Sequence, residues 1–183
     1  MHARTLALLV PFIACAQALV VTREANASCA SMLVDFSQTS LYNMAFQLTP
    51  KLIVKDWRYV DAAEHCVNMS YTGDLQTSGA YVDLRHVVIE KQLCPRPGGF
   101  TEEIAVRHIP IFDTAFANVS AFQGHPQSLL LSMRVELRVP WLLVLWQGDI
   151  RRRLHELMDR YMAVIVTRTC VDSYFPPRAE KNR

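Results

Sequence analysis

The sequence predicts an α+β fold, in which an antiparallel β-sheet packs against an N-terminal helix and one late amphipathic helix. Two segments carry this prediction. Over residues 129–139 apolar residues alternate with polar ones, which is the period of a strand with one buried and one wetted face. Over residues 149–165 apolar residues recur every three or four positions, which is the period of an amphipathic helix.

The alternating segment gives the most detailed prediction. Its even-numbered positions include Arg134, Glu136 and Arg138, which are predicted to face water. Its odd-numbered positions are predicted to face the core: Leu129, Leu131, Met133, Val135, Leu137 and Val139. Further strands are predicted within residues 52–54, 66–71, 79–93 and 103–112, because β-branched and aromatic residues are frequent there and turn residues separate them.

Helical segments are predicted at both ends of this strand-rich region. Loosely helical spacing over residues 29–48 predicts the N-terminal helix. In the late helix, Asp149 is the predicted N-cap. Its predicted inward positions are Ile150, Leu154, Leu157, Tyr161 and Ile165.

The segment between the last strand and the late helix is apolar throughout. It is predicted to be a strand covered on both faces. Trp141 and Trp146 flank it, and they are candidates for the wall of a pocket or for an exposed apolar patch. The alternative is that both belong to the hydrophobic core.

Residues 1–18 have the features of a cleaved signal peptide. His2 and Arg4 precede an apolar run, and the small residues Ala16 and Ala18 occupy the positions that a signal peptidase recognises. Residues 19–183 are therefore predicted to form a single secreted, disulfide-bonded glycoprotein domain. Its predicted location is extracellular.

Four cysteines remain after residue 18, and an even number in an oxidising compartment predicts two disulfides. Of the three pairings, Cys29–Cys170 with Cys66–Cys94 is favoured. A zinc site is the alternative, but the wide spacing without a Cys-x-x-Cys pair argues against it. Asn26, Asn68 and Asn118 each begin an Asn-x-Ser sequon and are predicted glycosylation sites.

Composition and motifs exclude several function classes. A net charge of +2 argues against nucleic acid as a partner. The longest apolar stretch beyond the signal is too short for a transmembrane segment. His155 and Glu156 resemble the start of a zinc-protease motif, but Asp159 stands where the second histidine is needed. With no catalytic residue, cofactor or metal site recognised, the chain is predicted not to be an enzyme.

Two functions remain. The first is non-catalytic binding to another protein, such as a receptor, a ligand or a membrane-anchored subunit. The alternative is a carrier of a small hydrophobic ligand in a β-rich cup. Trp57, the predicted strands, the late helix and the C-terminal Cys170 are similar to the lipocalin plan, although Lys55 stands where that family has a glycine. That resemblance implies a ligand cavity enclosed by strands.

Overall fold

The computed structural model describes residues 17–32, 52–61, 66–75, 84–109, 112–124 and 127–175. Nine strands and two helical segments follow one another along these ranges. They are β1 (Gln17–Ser28), β2 (Ser31–Met32), β3 (Leu52–Asp61), β4 (Val67–Leu75), β5 (Leu84–Arg96), β6 (Gly99–Ile109), β7 (Asp113–Gln123), β8 (Ser128–Val139), a 3₁₀ helix (Trp141–Trp146), α1 (Gln147–Thr169) and β9 (Cys170–Val171).

Seven of the strands form one antiparallel sheet in the order β1-β8-β7-β6-β5-β4-β3. From β3 to β8 each strand pairs with the next one in the chain, and β1 pairs along its full length with β8. The predicted antiparallel sheet is therefore confirmed. It is open, with β1 and β3 at its two ends, so it differs from the closed barrel that the lipocalin resemblance implies.

Strand β8 confirms the predicted alternation of buried and wetted residues. Every odd-numbered residue from Leu129 to Val139 is buried, and the intervening residues are partly or fully exposed. The buried residues define the inner face of the sheet, which carries the hydrophobic core. The opposite side is called the outer face below.

The late helix is also confirmed, with wider bounds than the pattern predicted. Helix α1 packs on the inner face against β1 and β8. Its buried positions are Met158, Met162, Ile165, Val166 and Thr169. Leu157 is exposed, so its predicted inward position is wrong, because the buried face lies one residue further along the helix. Asp149 lies in the first turn, and the N-cap position belongs to Trp146.

Two other local predictions are not supported. Ser31–Met32, within the predicted N-terminal helix, is a short strand paired with β9, and residues 33–50 lie outside the described residues. The segment Trp141–Trp146 is a 3₁₀ helix and not a covered strand. Pro140 precedes it and has no N–H with which to continue a strand ladder.

The 3₁₀ helix is far from fully buried. Leu145 is 92% exposed and Trp146 is 64% exposed, so the assignment of Trp146 to the core is wrong. The side chain of Trp141 lies outside the described residues.

The cysteines pair as the sequence favoured. Cys29, just after β1, bonds to Cys170, just after α1, with a Cα–Cα distance of 5.1 Å. Cys66 bonds to Cys94 across β4 and β5, with a Cα–Cα distance of 4.2 Å. The first bond ties the end of the helix to the edge of the sheet. Two disulfides are compatible with an extracellular location.

The predicted signal peptide falls almost entirely outside the described residues. Gln17 and Ala18 are exposed at the start of β1, and Leu19 is the first buried residue of that strand. Cleavage after Ala18 stays a prediction. In the described ranges, no helix is long and apolar enough to cross a bilayer.

Candidate functional site

The inner face of the sheet is apolar apart from a few polar side chains. Among the described residues, the buried polar or charged ones are Lys91, Glu102 and Thr169. The hydroxyl of Thr169 donates to the carbonyl of Ile165 within α1, which is an ordinary helical contact. Lys91 and Glu102 are charged groups inside the core, so they require a separate explanation.

Strands β5 and β6 place Lys91 and Glu102 together. Lys91 is paired in register with Ile104, and Leu93 is paired with Glu102, so the two charged residues are diagonal neighbours on the inner face. Their side chains are 2% and 0% exposed. The ammonium nitrogen of Lys91 lies 2.6 Å from Oε1 of Glu102.

Helix α1 completes the cluster with Tyr161. The Tyr161 hydroxyl donates to Oε2 of Glu102 at 2.6 Å, and it accepts from Nζ of Lys91 at 3.0 Å. Each pair among the three groups is therefore in direct contact. The Lys91 ammonium also lies 5.5 Å from the centroid of the Tyr161 ring, where the face of the ring attracts a cation. We call Lys91, Glu102 and Tyr161 the buried cluster.

The surroundings of the buried cluster are apolar. Glu102 is flanked in register by Leu93 on β5 and Val119 on β7, and both are buried. Removing two charges from water costs several kcal/mol per ion, and mutual attraction recovers that cost only with good geometry. A hydrophobic core gains little stability from such a pair, so the cluster points to a binding or chemical role.

The ammonium group of Lys91 has N–H donors that the buried cluster does not use. An ammonium group carries three N–H donors, and one of those on Lys91 is donated to the Tyr161 hydroxyl. Oε1 of Glu102 lies 2.6 Å from Nζ of Lys91 as an ion pair, but it accepts no hydrogen bond from the described residues. Within the described part of the chain, the other two donors of Lys91 make no hydrogen bond. Lys91 can therefore donate a charge-assisted hydrogen bond to an oxygen atom placed against the inner face of the sheet.

A second polar contact holds the helix in place beside this cluster. Nε of Arg23 on β1 donates to Oδ1 of Asp159 at 2.7 Å, across the gap between sheet and helix. The Arg23 guanidinium also lies 6.0 Å from the ring centroid of Phe175. Asp159 precedes Tyr161 by two residues, so this contact helps to fix the position of the tyrosine.

The residues selected from the sequence lie elsewhere. Asn26, Asn68 and Asn118 are on β1, β4 and β7, each between residues that face the core, so all three sequons are on the outer face. Trp146 lies at the start of α1. None of these residues contributes to the buried cluster, and their glycosylation stays a prediction.

A shallow depression of about 680 Å³ lies on the outer face. Its lining includes both Asn68 and Asn118. It is open to solvent and lies on the face that carries these two predicted glycosylation sites. No group of three or more His, Cys, Asp or Glu side chains suited to a metal ion occurs among the described residues.

Sequence reasoning missed the buried cluster, although a signal for it exists. Lys91 is in phase with Val87, Ile89 and Leu93, and Glu102 is in phase with Phe100 and Ile104. A lysine in the inward phase of one strand and a glutamate in the inward phase of the next predict a buried ion pair.

Comparisons with known proteins bear on the fold. No protein-family model matches the chain, and no curated protein matches it by sequence. The di-domain ARO/CYC StfQ from the steffimycin biosynthetic pathway is similar in structure, with a TM-score of 0.53 and 12% identity. The match covers 82% of this chain and 50% of StfQ, so the chain spans half the length of that protein.

Two further structures are similar at a lower level. The Zhui aromatase/cyclase from Streptomyces sp. R1128 has a TM-score of 0.48 and 9% identity, over 83% of this chain and 91% of that one. TTHA0849 from Thermus thermophilus has a TM-score of 0.48 and 14% identity, over 82% and 96% of the two chains.

The chain has a helix-grip fold. The likeness to StfQ and the observed sheet wrapped on one long C-terminal helix both indicate it. This finding overturns the prediction that the chain is not an enzyme, since the fold is shared with an aromatase/cyclase. Since a fold does not by itself determine a function, the absence of a local catalytic motif gives no reason to exclude catalysis.

Proposed function

We propose that the protein is a secreted glycoprotein that binds a small, mainly apolar ligand between the inner face of the sheet and α1. The ligand would carry an oxygen atom that accepts a hydrogen bond from Lys91. The proposal retains two predictions from the sequence, secretion and the carriage of a small hydrophobic ligand. It replaces the lipocalin barrel as the expected ligand-binding fold with the helix-grip fold.

The buried cluster carries this proposal. Ligand sites are lined mainly by apolar side chains, with a small number of polar groups that fix orientation. Lys91, Glu102 and Tyr161 are polar groups of this kind, set among Leu93 and Val119. The ion pair with Glu102 and the hydrogen bond to Tyr161 hold the ammonium of Lys91 in place, so its other N–H groups are oriented before a ligand arrives.

The fold adds support of a weaker kind. StfQ is named for aromatase and cyclase functions in a biosynthetic pathway, and the chain is similar to it in fold. Fold likeness at this level of identity does not transfer a substrate. It makes a ligand site between sheet and helix a reasonable place to test.

The first experiment is native mass spectrometry of protein purified from a eukaryotic secretion system, with N-glycans trimmed. We expect an additional mass of a few hundred daltons that denaturation releases. We also expect saturable binding of cis-parinaric acid, a fluorescent apolar carboxylic acid. Absence of both a retained ligand and saturable probe binding would overturn the proposal.

The second experiment replaces the buried cluster with apolar residues of similar volume. The variant K91M/E102L/Y161F removes the donor and every partner that it holds. A hydrogen bond to a charged group contributes about 1.5–3 kcal/mol, so we expect probe affinity to fall about 10- to 100-fold. The control is E90Q/R107Q, which removes an exposed ion pair of the same two strands on the outer face. Equal affinity in both variants would count against the proposal.

A second candidate function is proton transfer to or from the bound ligand. The cluster contains an ammonium, a carboxylate and a phenol in mutual contact, and these are groups that general acid–base catalysis uses. A retained ligand that is converted to a product of different mass or absorbance would favour it over simple carriage. The expected protein partner stays a prediction, since no contact of the described residues bears on it.

A further inference from the structure

The solvent-facing side of α1 carries a regular pattern of its own. Opposite the buried face, Arg153, Leu157, Arg160, Val164 and Arg168 follow one another at intervals of three or four residues, which places them in one line along the helix. Trp146, two turns before Arg153, extends the line. We call these six residues the helix stripe. It alternates apolar residues with arginines.

The apolar members of the stripe are well exposed. Trp146 is 64% exposed, Leu157 is 57% exposed and Val164 is 39% exposed. Single exposed apolar residues are common and require no explanation. Three of them on one line of a helix, with the 92% exposed Leu145 next to the first, form an extended apolar surface.

The arginines of the stripe are free to meet a negatively charged partner. Among the described residues, no ion pair involves Arg153, Arg160 or Arg168. The nearby acids do not neutralise them, because Asp149 and Glu156 are both paired with Arg152. Within the described part of the chain, the stripe therefore has three uncompensated positive charges.

We propose that the helix stripe docks the protein on the surface of a bilayer that contains anionic lipids. Tryptophan and aliphatic side chains insert at the level of the headgroups, and arginines contact lipid phosphates and carboxylates. The stripe spans 22 residue steps, about 33 Å at the helical rise, from the last residue of the 3₁₀ helix along α1, and this convex line fits a plane.

The sequons are placed consistently with this orientation. Asn26, Asn68 and Asn118 lie on the outer face of the sheet, whereas α1 lies against the inner face. Glycans on these residues would extend away from the docked membrane. The proposal does not depend on the ligand site, since the helix stripe and the buried cluster share no residue.

The test is flotation of the secreted, glycosylated protein with vesicles of phosphatidylcholine alone or with 30% phosphatidylserine, at several salt concentrations. We expect partition onto the phosphatidylserine vesicles only, weakened by salt, with a blue shift of tryptophan fluorescence that W146F removes. Each arginine near an anionic surface contributes about 1 kcal/mol, so R153Q/R160Q should weaken partition about 30-fold.

Two further variants make the test specific. L157S/V164S keeps the charges and removes apolar contact, so we expect a loss of about tenfold. R134Q/R138Q removes two exposed arginines of β8 on the outer face and should leave partition unchanged. All these positions are exposed, so the variants should fold normally.

Three outcomes would overturn the proposal. The first is equal partition onto vesicles with and without phosphatidylserine. The second is unchanged partition of R153Q/R160Q and L157S/V164S. The third is that the protein does not partition onto either kind of vesicle. A dimer that L157S/V164S converts to a monomer would then show that the stripe binds a second copy of the chain.

Discussion

At the scale of single residues, the buried cluster places two charges where apolar side chains would stabilise the core more readily. The ion pair of Lys91 and Glu102 is held at 2.6 Å, and Tyr161 contacts both partners by donating to Oε2 of Glu102 and accepting from Lys91. Oε1 of Glu102 accepts no hydrogen bond from the described residues. Removing one partner leaves the other charged and buried, whereas removing all of them leaves an ordinary apolar interior.

This difference leads to a stability prediction. The single variant E102L should lower the free energy of unfolding by about 3–5 kcal/mol, because it leaves the Lys91 ammonium buried without its carboxylate. The triple variant K91M/E102L/Y161F should unfold within about 1 kcal/mol of the unchanged protein or be more stable. Urea denaturation with the disulfides intact measures both. A triple variant as unstable as E102L would show that the cluster itself stabilises the fold.

The buried cluster could not be predicted from the hydrophobic periodicity of single strands. Periodicity identified β8 correctly because its polar residues all face water. On β5 and β6 the charged residues at positions 91 and 102 occupy the inward phase, so a rule that assigns charges to the surface passes over them. The third member, Tyr161, comes from a helix 59 residues further along than Glu102, and local pattern carries no information on that contact.

At the scale of elements, β8 is the strand on which the rest of the molecule is arranged. It pairs with β1 on one side and β7 on the other, and α1 packs against it. One face of β8 packs toward the helix and the other faces water, and this accounts for the alternation of buried and exposed residues along the strand. Two neighbouring residues of the same type in β8 should therefore differ in how far the same substitution lowers the free energy of unfolding.

Leu130 and Leu131 provide this comparison. Leu131 is 2% exposed and belongs to the core, whereas Leu130 is 47% exposed on the outer face. L131A should lower the free energy of unfolding by about 2–5 kcal/mol, since it removes buried methyl groups and leaves a cavity. L130A should change it by less than about 0.5 kcal/mol. Thermal and urea unfolding of the two variants test the strand register, and equal losses would contradict it.

The elements differ in how far the sequence predicts them. β8 and α1 have long, regular patterns, so their type and approximate position follow from periodicity, although α1 extends beyond the predicted residues 149–165 at both ends. The 3₁₀ helix does not, because an apolar run of six residues has no period and its conformation depends on Pro140 and on the start of α1. The pairing of β1 with β8 joins residues at least a hundred positions apart, and single-sequence patterns do not specify such a partner.

At the scale of the whole molecule, the two sides of the sheet are assigned different roles. The outer face carries the three sequons and the Cys66–Cys94 disulfide, whose residues are in register with the outward positions of β4 and β5. The inner side carries the buried cluster, α1 and the helix stripe. The bond between Cys29 and Cys170 keeps the end of that helix on the edge of the sheet.

This division predicts how glycosylation affects each activity. Enzymatic removal of N-glycans should lower the mass of the secreted protein in up to three steps, one for each of Asn26, Asn68 and Asn118. It should leave both cis-parinaric acid affinity and vesicle partition within about twofold, because neither site lies on the glycosylated face and no charged or apolar contact is lost.

A glycan placed on the side of the sheet that carries α1 should act differently. R153N/H155S creates a sequon on the helix stripe, and its glycan would hold α1 away from a bilayer, so vesicle partition should be lost while probe binding persists. Loss of partition on removal of the natural glycans, or normal partition of glycosylated R153N/H155S, would contradict the assignment of the two sides.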